Sequence, residues 1–107
     1  MIVGGSRDLR VVGLRETYYE FGTYEFKIIL NPKHFQSCHD CEIFLTDSDR
    51  RSIDVEVRRW GRKMVCSFVV GSALPDGVVD LKIVLRGQKR ERTVKKMFWV
   101  IKPDVTK

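Results

Sequence analysis

Three observations predict an all-β fold of seven antiparallel strands, closed as a sandwich or a barrel. Apolar residues recur with a period of two from residue 9 onward. Clusters of turn-forming residues interrupt them roughly every ten residues. No segment carries an apolar stripe at helical spacing over three turns.

The strands follow in order. "DLRVVGL" opens the series with β-branched residues, and "YEFKIIL" sets Phe26, Ile28 and Leu30 on one face. "CEIFLT" places Ile43 and Leu45 inward, with Cys41 beginning the strand on the same side. In "SIDVEVR", Ile53, Val55 and Val57 alternate with Ser52, Asp54, Glu56 and Arg58. "KMVCSFVV" alternates less cleanly, and its Cys66, near Val65 and Phe68, reads as a small buried hydrophobe. "DGVVDLKIVLRG" has Val79, Leu81, Ile83 and Leu85 against Asp80, Lys82 and Arg86, the pattern of a half-buried strand. "RTVKKMFWVI" closes the series with Val94, Phe98 and Val100 sharing a face with Lys96. The turns between them are "NPK", "TDSDRR", "WGRK", "LPDG" and "RGQKRER".

A chain of 107 residues suffices for one domain with its own core. A hydrophobic share of 43% with 32% charged residues excludes collagen-like, low-complexity and strongly disordered classes. The longest apolar runs are too short to cross a bilayer as helices, so no membrane insertion is expected. Residues 9–102 form the expected domain, with 1–8 as leader or linker and 103–107 as C-terminal linker. "MIVGGSRDLR" lacks the apolar centre of a secretory signal, and the favoured reading is a piece excised from a surface or secreted protein rather than a cytoplasmic protein.

The "LPDGVVDLKIVLRG" hairpin leading into a last strand that ends "WVIKP" resembles immunoglobulin-like and fibronectin type III-like modules. The resemblance covers the whole chain at the level of pattern and implies a seven-stranded antiparallel immunoglobulin-like sandwich. The chain departs from those modules at three points. Val79 stands where they often carry a corner tyrosine, Trp60 falls in a turn, and Cys41 and Cys66 lie on the third and fifth strands, so the inter-sheet cysteine pair is absent.

Under that topology three loops share one end of the sandwich: "NPKHFQSCHD", "RRWGRK" and "RGQKRER". They bring together Lys33, Arg58, Arg59, Arg62, Lys63, Arg86, Lys89, Arg90 and Arg92 against Asp40 and Glu91. The opposite end is acidic, with Glu16, Glu20, Asp47, Asp49 and Asp76 against Arg15, Arg50 and Arg51. The formal charge of +6 is therefore concentrated at one pole, which would steer an anionic partner there. Basic loops also keep small domains soluble and discourage edge pairing. The binding residues expected at this pole are Arg58, Arg59, Trp60, Arg62, Lys63, Lys89, Arg90 and Arg92. Among them Arg59, Trp60 and Arg62 are of the types that dominate protein interfaces.

The stretch "HFQSCHDC" raises the question of a metal, with His34, Cys38, His39 and Cys41 as candidates. A tetrahedral zinc site is usually built from two separated ligand pairs, and here only one C-x2-C pair exists. A Cys38–Cys41 disulfide would staple the loop in an oxidising compartment. The reading adopted is no metal and no cofactor, with Cys41 facing inward, Cys38 a loop thiol, and both histidines exposed. Catalysis is not expected, because no base and orienting group accompany a nucleophile and no glycine-rich phosphate loop precedes a helix.

The functional expectation is a non-catalytic spacer or protein-interaction domain within a larger protein, with other protein domains as partners. The alternative is nucleic-acid or polyanion binding through the basic loop end. A second alternative, carbohydrate binding, would use an exposed Tyr18–Tyr19 pair in "TYYEFGTYEF".

Overall fold

The computed structural model describes residues 8–86 and 91–103. Nine strand segments form it: β1 (Leu9–Val12), β2 (Thr17–Tyr18), β3 (Gly22–Leu30), β4 (Glu42–Thr46), β5 (Ser52–Ile53), β6 (Glu56–Trp60), β7 (Lys63–Val70), β8 (Gly77–Arg86) and β9 (Glu91–Val100). They make a four-stranded sheet, β1-β3-β7-β6, facing a five-stranded sheet, β2-β9-β8-β4-β5. The inward residues are those the alternation selects: Phe26, Ile28 and Leu30, then Ile43 and Leu45, then Val79, Leu81, Ile83 and Leu85 are all buried.

Two segments change sheets. The predicted strand "SIDVEVR" is broken at Asp54–Val55, so that β5 pairs with β4 while β6 pairs with β7 across the sandwich. After β1 the chain crosses to β9, where β2 runs parallel to it; among the described residues every other ladder is antiparallel, so the five-stranded sheet is mixed. Tyr18 explains why two residues hold this edge. Its ring is fully buried, its hydroxyl accepts a hydrogen bond from the Arg15 amide at 3.2 Å, and the flanking backbone bonds to Trp99 and Ile101.

Four rings converge on Phe68 from both sheets: Tyr18 at 5.3 Å, Phe98 at 5.4 Å, Tyr24 at 6.1 Å and Phe26 at 6.2 Å between centroids. Edge-to-face and tilted geometries at such separations suit the ring quadrupoles. This cluster takes the central place that a core tryptophan holds in antibody-type domains. The expected exposed Tyr18–Tyr19 pair is not formed, because Tyr18 is drawn into the cluster while Tyr19 remains 61% exposed.

The ladders also set the two ends. Leu9, Leu30 and the Trp60–Lys63 turn lie together, as do the start of β4, the end of β8 and the start of β9. Loop 31–41 therefore meets the β6–β7 turn at one end. The segments after β2, β4 and β7 gather at the other. Among the described residues no helix is long and apolar enough to cross a membrane.

Candidate functional site

At the basic end, the β6–β7 hairpin turns through Gly61 and Arg62. Gly61 has φ +56° and Arg62 does not have positive φ, the glycine-first pattern of a type II′ turn that matches strand twist. Loop 31–41 is sealed against this turn: the Gly61 carbonyl accepts from the Cys38 amide at 2.8 Å, and the Arg62 carbonyl from the Leu30 amide at 2.9 Å. Within the loop the Asn31 side chain accepts from the Lys33 amide, and Phe35, Cys38 and Cys41 point into the core.

Cys38 is a loop thiol as expected, but a buried one: it is 1% exposed, and its Sγ lies 3.5 Å from the Lys63 carbonyl. Burial pushes the Cys38 and Cys41 thiols above their ordinary range, and drives Cys66 up to about 12.

The unfolded chain loses the Cys66 proton near pH 9 and the folded chain only near 12, so stability is full below about pH 9 and declines toward pH 12. Unfolding free energies from urea titrations should fall across that window by about 1.4 kcal/mol per pH unit more in the natural protein than in Cys66→Ala. Equal slopes for the two proteins would contradict the assignment.

The metal candidates do not converge. His34 Nδ1 lies 2.9 Å from the buried Asp8 carboxylate, Cys38 and Cys41 face the core, and His39 is exposed with its amide on Ser37 Oγ. Among the described residues no cluster of three or more His, Cys, Asp or Glu is placed to hold an ion.

Of the seven described cationic residues expected at this pole, four are engaged within the fold. Arg92 Nη1 lies 2.8 Å from Asp8, Arg86 binds Glu42 and Glu91, and Arg58 reaches Glu25 at 3.3 Å. Arg59 donates to the Cys41 carbonyl at 2.8 Å and so ties β6 to the start of β4. Arg62 and Lys63 make no ion pair among the described residues, and Lys63 Nζ stands 6.0 Å from the centroid of the exposed Trp60 ring. Lys89 and Arg90 lie outside the described residues.

A feature the sequence reading missed lies on the side of the sandwich where the strand switch occurs. β5 covers β4 only at Leu45 and Thr46, leaving the outer backbone edge of Glu42–Phe44 outside any ladder. Beside that edge is an opening of about 340 Å³ lined by Glu42, Ile43, Phe44, Val55, Val57 and Arg59. Nothing in the local alternation marks it, because it arises where the chain leaves one sheet for the other.

Fold and site together define an immunoglobulin-like β-sandwich module with an open lateral edge. No family model matches the chain, and no curated protein matches it in sequence at a significant level. Solved structures do share its fold. It is similar to the crystal structure of the Lin-41 filamin domain, with a TM-score of 0.60 and 15% identity over 86% of this chain and 90% of that one. It is also similar to the M1 domain from titin, with a TM-score of 0.53 and 12% identity over 92% and 98% of the two chains. At these identities the likeness concerns architecture.

Proposed function

We propose that this domain is a non-catalytic protein-interaction module that receives an extended segment of a partner protein at the opening between β4 and β6. The observation that carries this reading is the uncovered Glu42–Phe44 edge beside an opening where Ile43, Phe44, Val55 and Val57 stand between the charged Glu42 and Arg59. An exposed sheet edge supplies main-chain hydrogen bonds to an added strand, and pockets beside it select alternate side chains. Ile43, Val55 and Val57 offer apolar contact, and Phe44 is 44% exposed at the rim. Arg59 fixes the end of the opening nearest the basic pole through its bond to Cys41, so its part is to hold the two walls in place. Trp60, expected in a turn, is instead the last residue of β6, paired with Lys63, and Arg62 lies just beyond it in the hairpin turn.

Selection of random extended peptides against the domain tests this. Bound peptides should alternate apolar and polar residues and shift the amide resonances of Glu42–Phe44 and Val55–Arg59. Affinity should fall about tenfold or more in Phe44→Ala, matching the loss of one well-packed aromatic contact at an interface centre. Peptides that bind while leaving those resonances unmoved would refute the reading.

A further inference from the structure

The outward face of the four-stranded sheet carries a strip of cations that the loops alone do not contain. Register sets Arg10 beside Ile29, Ile29 beside Lys63 and Lys63 beside Trp60, one row across β1, β3, β7 and β6. The next row runs Val12, Lys27, Val65 and Arg58. Arg62 lies one position beyond the first row, in the hairpin turn. With strands about 4.8 Å apart and about 3.4 Å per residue along each, neighbouring cations stand roughly 8–10 Å apart. Arg10, Lys27, Arg62 and Lys63 are exposed and make no ion pair among the described residues. Glu25 and Glu56, on either side of Ser67, form the row above and bound the strip.

We propose that this strip binds the phosphodiester backbone of single-stranded nucleic acid, with Trp60 as the stacking surface for one base. The cations are spread along two rows without converging, so they match a polymer of repeated charge better than a single carboxylate or phosphate. A plane of anionic lipid would meet Glu25 and Glu56 as well as the cations, whereas a narrow flexible strand follows the strip and avoids them. An exposed aromatic ring among cations is also how sequence-tolerant single-strand binders work. The loop-end residues Arg86 and Arg92 are engaged with Glu42, Glu91 and Asp8, so neither belongs to the strip. This site is separate from the β4–β6 opening, and the Arg10 and Lys27 substitutions below leave that opening untouched.

The test is a fluorescence titration of the full chain with a thymidylate dodecamer, in a Trp99→Phe background so that Trp60 reports. Quenching is expected, with a slope of log K against log salt of about −3, from about −0.7 for each of four cations. Arg10→Ala/Lys27→Ala should make the slope shallower by about 1.4. Lys82→Ala/Lys95→Ala, on the opposite sheet, should leave it unchanged, and thermal melts should show both double variants folded. Three results would overturn the proposal: no quenching at low salt, equal weakening by the two double variants, or a response to phosphatidylserine vesicles with none to the oligonucleotide.

Discussion

Replacing Phe68 with alanine is expected to cost about 3–5 kcal/mol, the range for deleting a large aromatic side chain from a packed core. Domains of this kind retain a net stability of only about 5–15 kcal/mol, so the variant would sit at the margin of folding. The expectation rests on position. Phe68 is 2% exposed and is the ring against which Tyr18, Tyr24, Phe26 and Phe98 all pack, so its loss removes contacts from both sheets at once. These neighbours are held by backbone ladders and cannot collapse fully into the space. Urea unfolding of Phe68→Ala beside Phe21→Ala provides the measurement. Phe21 is 46% exposed and should change stability by no more than about 0.5 kcal/mol. Similar midpoints for the two variants would remove Phe68 from the centre of the core.

Gly77→Ala should be the second severe change, at about 2–5 kcal/mol, combining backbone strain with overpacking. Gly77 begins β8 with φ +133°, and an added Cβ would stand 2.8 Å from Ser48 Cβ. Ser48 is held, because its hydroxyl donates to the Asp76 carbonyl at 3.0 Å. The two causes separate experimentally. Ser48→Gly in the Gly77→Ala background should relieve the steric part while the backbone strain remains. Gly61→Ala is a useful contrast, since its φ is +56° but nothing lies within 4 Å of the added atom. It should cost only the conformational share, about 1–2 kcal/mol. A Gly77→Ala variant as stable as the natural protein would show that β4 and β8 part at this corner without resistance.

The alternation of side chains was sufficient to identify the buried faces of β3, β4 and β8, and turn chemistry was sufficient to separate the strands. With those in place, the grouping of loop 31–41 and the β6–β7 turn at one end follows from antiparallel order alone. The electrostatics were far less legible. Arg92 and Asp8 are 84 residues apart, Arg86 and Glu42 are 44 apart, and Arg58 and Glu25 are 33 apart. A charge count over loops includes each arginine and leaves out the partner supplied by a distant strand. Arg10 and Lys27 escaped for the complementary reason: each is a single polar position within a strand, and only lateral pairing joins them to Lys63 and Trp60.

The class of fold, the major strands, their inward faces and the turns that join them are legible in the residue pattern, because these depend on contacts between near neighbours and on a period of two. Tertiary structure alone decided which sheet each segment joins, the burial of Cys38 and Tyr18, the open edge of β4 and the pairing of the arginines. Inward and outward are local properties of an extended chain, whereas the choice of lateral neighbour is settled by packing between residues far apart in sequence.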